Sequence, residues 1–151
     1  MKLSIIKYTE DKPSTLRLKS IKVTEFTDAI KSFCENVLIA SLIEHDAAGL
    51  SASQIGSNAR IIAIKGPRGP VALINPVIVE RSSAKKLSKE ECLSIPGRTG
   101  LVLRHKYVVV QAQSVTGEKF KIKFIDRLAA VVQHEIDLLD GVMFIDKLSF
   151  V

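Results

Sequence analysis

The chain has 151 residues, 46% hydrophobic and 25% charged, with a formal net charge of +6. Those values suit one packed soluble domain and exclude a wholly disordered chain. Two cysteines (Cys34 and Cys92) cannot make a secreted disulfide framework, no apolar run approaches the ~20 residues of a membrane span, and residues 1–8 are too briefly apolar for a signal peptide; a cytoplasmic protein is expected.

The first long helical pattern follows Thr24, a candidate N-cap. Phe26, Ile30, Phe33, Val37 and Ile39 recur near helical spacing, and Leu42 and Ile43 extend the stripe. A loop of small residues is expected from Asp46 to Asn58. Residues 60–65 read as a strand, and Gly66-Pro67-Arg68-Gly69-Pro70 as a turn. Residues 71–80 are extended, with Asn75-Pro76 marking an edge or a bulge. Residues 81–89 are polar and basic, a loop or exposed hairpin. Residues 90–97 contain Cys92 and end in the turn signal Ile95-Pro96-Gly97. Strands are expected at 101–104, 107–113 and 119–125, with Gly117 in the hairpin between the last two. Asp126 is expected to cap a second helix over residues 127–139, terminated by Asp140-Gly141. Helix, strands, then helix predict an α+β fold with largely antiparallel sheets around a buried helix, in a single domain over 1–151.

The basic residues form no compact patch. Lys85, Lys86 and Lys89 lie in the polar stretch, and Lys119, Lys121 and Lys123 alternate as on the solvent face of a strand. No aromatics interleave with them, so specific nucleic-acid reading is not expected.

Polar chemistry concentrates in the second helix. Apolar residues surround it on nearly all sides, which predicts burial. Gln133, His134, Glu135 and Asp137 nonetheless sit in its middle, and buried charges need partners or a cleft. The segment His134-Glu135-Ile136-Asp137-Leu138 is one residue short of the metal-binding pattern H-E-x-x-H, because Leu138 cannot ligate. Taken singly, Cys92 could be a small buried hydrophobe, Gln54 a cap on loop backbone, and Gly49 a turn residue.

Three segments in order carry a family resemblance: Ala47-Ala48-Gly49-Leu50-Ser51-Ala52-Ser53-Gln54, Glu90-Glu91-Cys92-Leu93-Ser94, and Gln133-His134-Glu135-Ile136-Asp137-Leu138. They are similar to the G-φ-G-φ-A-A-x-Q, E-G-C-L-S and Q-H-E-x-D-H signatures of peptide deformylases. The stretches Leu73-Ile74-Asn75-Pro76 and Phe144-Ile145-Asp146 extend the likeness nearly end to end. The resemblance implies hydrolysis of the formyl group from N-terminal N-formylmethionine of nascent chains, releasing formate. It also implies one divalent metal ion, Fe²⁺ in cells with Zn²⁺, Ni²⁺ or Co²⁺ as substitutes.

By the same resemblance Cys92 and His134 are metal ligands, and Leu138 stands where the family has its second histidine. Glu135 is the general base. Gln54 and the backbone N–H of Leu93 are the oxyanion donors. Gly49, Ala48 and Glu90 are expected at the substrate, Gly49 by meeting the peptide as an added strand. Ala130 and Val131 are expected to line the methionine pocket. Asp137 is expected to orient structure by pairing with Arg104, and Arg127 stands where the family carries an apolar pocket residue.

Candidates to replace the lost ligand are Asp137, Glu91, His45 and His105. The chain ends within a dozen residues of the second helix, which resembles short family forms without a C-terminal helix. The implied partners are formylmethionyl peptides and a transient ribosome contact, for a monomer with no membrane and no specific nucleic acid. The competing reading is an impaired protein that binds such peptides without efficient hydrolysis.

Overall fold

The computed structural model describes residues 3–149. Its helices are α1 (Asp28–Ser32), a π-helical turn (Phe33–Leu38) and α2 (Ile39–Glu44), which run on without a break, and α3 (Asp126–Leu139). Its strands are β1 (Gly49–Ser51), β2 (Ile61–Gly66), β3 (Gly69–Arg81), β4 (Lys85–Cys92), β5 (Ile95–His105), β6 (Tyr107–Gln113) and β7 (Lys119–Ile125). Five strands form a sheet in the order β1-β2-β3-β6-β7, and β4-β5 form a separate hairpin. All these strand pairs are antiparallel. The expected α+β class with largely antiparallel sheets is therefore present.

The layers follow from which faces are apolar. β2 is apolar on both sides: Ile62 and Ile64 pack toward α3, while Ile61 and Ala63 pack toward the first helical run through Cys34, Leu38 and Leu42. The other side of α3 is covered by the β4-β5 hairpin, where Leu138 joins Leu16, Cys92, Ile95, Val102, Met143 and Phe144. A helix enclosed between a sheet and a hairpin must be apolar nearly all round, which explains its sequence.

Several sequence expectations are corrected. Thr27, not Thr24, caps the first helical run, its hydroxyl accepting from the Ile30 N–H. Asp126 is the first residue of α3 rather than its cap, and the cap position, Ile125, makes no side-chain bond. The expected loop from Asp46 to Asn58 contains β1 and a 3₁₀ turn (Ala52–Ile55), since three residues are too few to show a period. β5 starts at Ile95 and runs through the predicted turn. Of the edge or bulge expected at Asn75-Pro76, the structure has the bulge, with Pro76 inside the central strand β3. It is tolerated at the register shift between Ile74 and Val77, where Asn75 has φ +52°. The Lys119, Lys121 and Lys123 side chains are exposed as their alternation predicts.

Gly141 closes α3 with φ +75°, and its N–H donates to the Leu138 carbonyl at 3.1 Å. A Cβ there would stand 2.3 Å from the Arg17 carbonyl oxygen. Gly141→Ala combines left-handed strain with a backbone clash and should cost roughly 2 kcal/mol or more. Urea unfolding of the two proteins measures this.

Candidate active site

The three segments singled out in the sequence meet where α3 passes between β1 and the hairpin. β4 alternates, so Glu90 and Cys92 face inward and Glu91 faces solvent. The Glu90 carboxylate is the organising group. Its oxygens accept from Arg104 Nε and Nη2, both at 2.8 Å, and Oε1 also meets His134 Nδ1 at 2.9 Å. Arg104 is 4% exposed and reaches Asp137 with Nη1 at 2.6 Å; Lys147 Nζ lies 3.0 Å from the same Asp137 oxygen. The expected Arg104–Asp137 pairing is thus present. Burial alone would raise the pKa of Glu90, but Arg104 and His134 outweigh it and lower it to about 2.

His134 is held by Glu90 through Nδ1, which leaves Nε2 for the site, and its ring stacks on Phe144. Burial lowers the imidazole pKa, while Cys92, Glu90 and Glu135 raise it further, to about 10.

Gln54 is 2% exposed, and its amide is oriented at both ends. Oε1 accepts from the Ser51 N–H at 3.0 Å, and Nε2 donates to Cys92 Sγ at 3.5 Å and Ser94 Oγ at 3.2 Å. The side chain that caps the 3₁₀ turn is therefore also the one that reaches Cys92. Leu93 follows Cys92 in the turn, and its N–H has no partner among the described residues.

Glu135 is buried, and Oε1 has no hydrogen-bond partner among the described residues. Burial raises its pKa to about 7; Glu90 adds to the rise and His134 opposes it. Gly49 lies directly over it. A Cβ on Gly49 would stand 2.8 Å from Glu135 Cγ and Oε2 and from Val131 Cγ1, so no larger residue fits without displacement. β1 is the terminal strand of its sheet, and the Ala48 carbonyl bonds to Lys65 of β2. Strand alternation then turns the N–H and C=O of Gly49 to the open edge. Ala130 and Val131 are half-buried on α3.

The residues present do not fit a metal centre with three protein ligands. Cys92 and His134 are apt donors, and the Glu90 bond to Nδ1 is a normal support for a ligating histidine. The third position is hydrocarbon: Leu138 is 1% exposed and packed in the hairpin cluster. None of the four substitutes takes its place. Asp137 is engaged by Arg104 and Lys147. Glu91 faces solvent. His45 bonds the Leu3 carbonyl, and His105 bonds the Ser82 carbonyl. Among the described residues no cluster of three or more ligating side chains occurs.

Sequence reasoning did not find Ser94 or Phe144, which touch Gln54 and His134. Ser94 was visible in the E-x-C-L-S segment, whereas nothing in the sequence linked Phe144 to the histidine.

A family model described as polypeptide deformylase matches residues 2–151. A peptide deformylase of Desulfitobacterium hafniense is 39% identical over 145 residues, covering 96% of this chain and 95% of its own. The crystal structure of peptide deformylase from Thermotoga maritima superposes with a TM-score of 0.91 at 32% identity, covering 99% of both chains. A Met-Ala-Ser-bound class I type b peptide deformylase from Acinetobacter baumannii superposes at 0.87 with 28% identity, covering 98% of this chain and 99% of its own.

Because the Glu90 pKa is depressed in the fold, its contribution to stability is present above its ordinary value of 4.5 and is lost as pH falls toward 2. Glu90→Gln should destabilise at pH 7 by roughly 3 kcal/mol or more, because it leaves Arg104 and His134 with a poorer partner. The gap between the two proteins should close as pH drops from 4.5 to 2. Denaturant melts across that range test both statements.

Proposed function

The chain belongs to the peptide deformylase family, and from this we propose that it removes the formyl group from N-formylmethionyl N-termini of nascent polypeptides, releasing formate. The observation that carries this reading is the unpartnered, buried Oε1 of Glu135, set beneath the backbone of Gly49.

In this reading each residue has a role. The substrate backbone adds to the free edge of β1 at Gly49 and Ala48, and the methionine side chain lies against Val131 and Ala130. The solved relative bound to Met-Ala-Ser supports a methionyl peptide as the ligand class. Glu135 takes the proton of the hydrolytic water. Negative charge on the formyl oxygen is met by Gln54 Nε2 and the Leu93 N–H. Glu90 is a positioning residue: its oxygens are engaged by Arg104 and His134, and it fixes the imidazole.

Cys92 and His134 are the two donors that this chain offers a divalent cation, and we place its affinity well below that of a three-ligand site. Leu138→His should bring the metal content close to one equivalent and raise formate release at least about tenfold. Elemental analysis and a formate assay on a formyl-Met-Ala-Ser peptide check this.

A second reading, capture of formylmethionyl peptides without hydrolysis, is favoured by Leu138 alone. Peptide binding with no formate at any metal loading would establish it and refute the hydrolase. Glu135→Gln should reduce turnover by roughly 10²–10⁴-fold while peptide affinity, measured by calorimetry, is kept. Loss of affinity in step with turnover would instead assign Glu135 to binding.

A further inference from the structure

Cations that are scattered along the chain converge in the fold. A cavity of about 470 Å³ is lined by Lys19 and Lys22 from the segment before the first helical run, Arg60 just ahead of β2, Gln111 and Gln113 from β6, and Lys119 from β7. No carboxylate lines it. Val108, Val110 and Ala112 of β6 and Phe124 of β7 belong to the core against α3, with Phe120 and Ile122 packed on it. By strand alternation Gln111, Gln113, Lys119, Lys121 and Lys123 therefore point to the opposite face of the sheet. Gln113 pairs with Lys119 and Gln111 with Lys121, so the cavity continues into a stripe of lysines two residues apart on β7.

These charges are largely unanswered. Lys19, Lys22, Lys119, Lys121 and Lys123 enter no ion pair among the described residues. Arg60 gives Nη1 to Asp140 at 2.7 Å and to the Leu139 carbonyl at 3.4 Å, which fixes the guanidinium and leaves Nε and Nη2 without a partner among the described residues. Lys123 Nζ stands 4.3 Å from the centroid of the Tyr107 ring. Like charge gathered without carboxylates works against the compact state, and it is the electrostatic footprint of a surface that meets a polyanion. Phosphate oxygens would take the free lysine and arginine donors, and the Gln111 and Gln113 amides lie between them. Tyr107, the aromatic side chain of this face, is covered by a cation, so the face offers no free platform for stacking bases.

We propose that this cavity and the β7 lysine stripe bind the phosphate backbone of RNA without reading its sequence. The surface lies on the side of the sheet away from α3, so a bound strand leaves the Glu135 site open. The choice of RNA over DNA rests on the nascent-chain reading above, because nascent chains are carried on RNA; the charge recognition stands on the geometry alone.

The test uses the full chain and fluorescence anisotropy with a labelled, mixed-sequence single-stranded RNA. With six cations engaged, log affinity should fall against log salt with a slope of about −4. Replacing Lys22, Lys119 and Lys121 together by Gln should weaken binding at least about tenfold at about 50 mM salt and reduce the slope by about 2, equally for RNAs of different sequence. Replacing Lys85, Lys86 and Lys89 by Gln removes the same net charge from the β4-β5 hairpin and should leave affinity within about twofold. Equal losses in the two triple variants would reduce the effect to net charge and overturn the proposal, as would no RNA binding at about 50 mM salt. Displacement of the RNA by polyglutamate at equal charge makes the partner an acidic protein and overturns it too; tighter binding of the DNA strand of the same sequence overturns the assignment to RNA. Formate release from formyl-Met-Ala-Ser, measured on the same samples, should be unchanged in both variants. Its absence in every sample, with RNA binding intact, defeats the substrate reading and not the charge recognition; a fall confined to the Lys22, Lys119 and Lys121 variant contradicts the separation of the two faces and overturns the placement.

Discussion

One buried carboxylate organises this protein. Glu90 comes from β4, Arg104 from β5, and His134 and Asp137 from α3; two bonds from Arg104 hold Glu90 within the hairpin, and the Glu90–His134 and Arg104–Asp137 bonds tie the hairpin to the helix. A carboxylate in such a place is costly to desolvate, and it is stable there only because every neighbour answers it. The bond that fixes the hairpin is also the bond that fixes the imidazole. Fold stability and site geometry cannot be varied separately at this position.

The second constraint is space. Gly49 passes so close to Glu135 and Val131 that a single added carbon would collide with all three neighbouring atoms. That proximity keeps the Glu135 carboxyl dry while leaving one oxygen without a partner. Burial then shifts the group toward neutrality, where it can accept and return a proton. The edge of β1 is left open at the same point.

Leu138 changes the chemistry more than the architecture. Its side chain joins Leu16, Val102, Met143 and Phe144, and the hairpin cluster closes around it. A ligand atom is exchanged for apolar packing, which favours the fold through burial and disfavours cation binding through the loss of a donor. The remaining polar groups stay in place: Gln54 donates to Cys92, and Glu90 steadies the His134 imidazole.

Much of this was legible in the sequence. The period-two runs of β6 and β7, the glycine turn between them, the span of α3 and its apolar surround all followed from local pattern. So did the three motif segments, because their order along the chain is itself local information. β1 was not legible, since three residues carry no period, and the choice between edge and bulge at Pro76 was left open because the bulge is set by register with the partner strand. The roles of Glu90 and Phe144 depended on distance in space: Glu90 lies opposite Gly100 and Arg104 opposite Lys86, so pairing alone does not bring those two together. Sequence thus determined which residue types were available and in what order, through propensity and periodicity. Only the tertiary structure decided which oxygen would be left unpaired, which imidazole nitrogen Glu90 would hold, and that no carboxylate or histidine would replace Leu138, because those outcomes depend on which groups burial forces into contact.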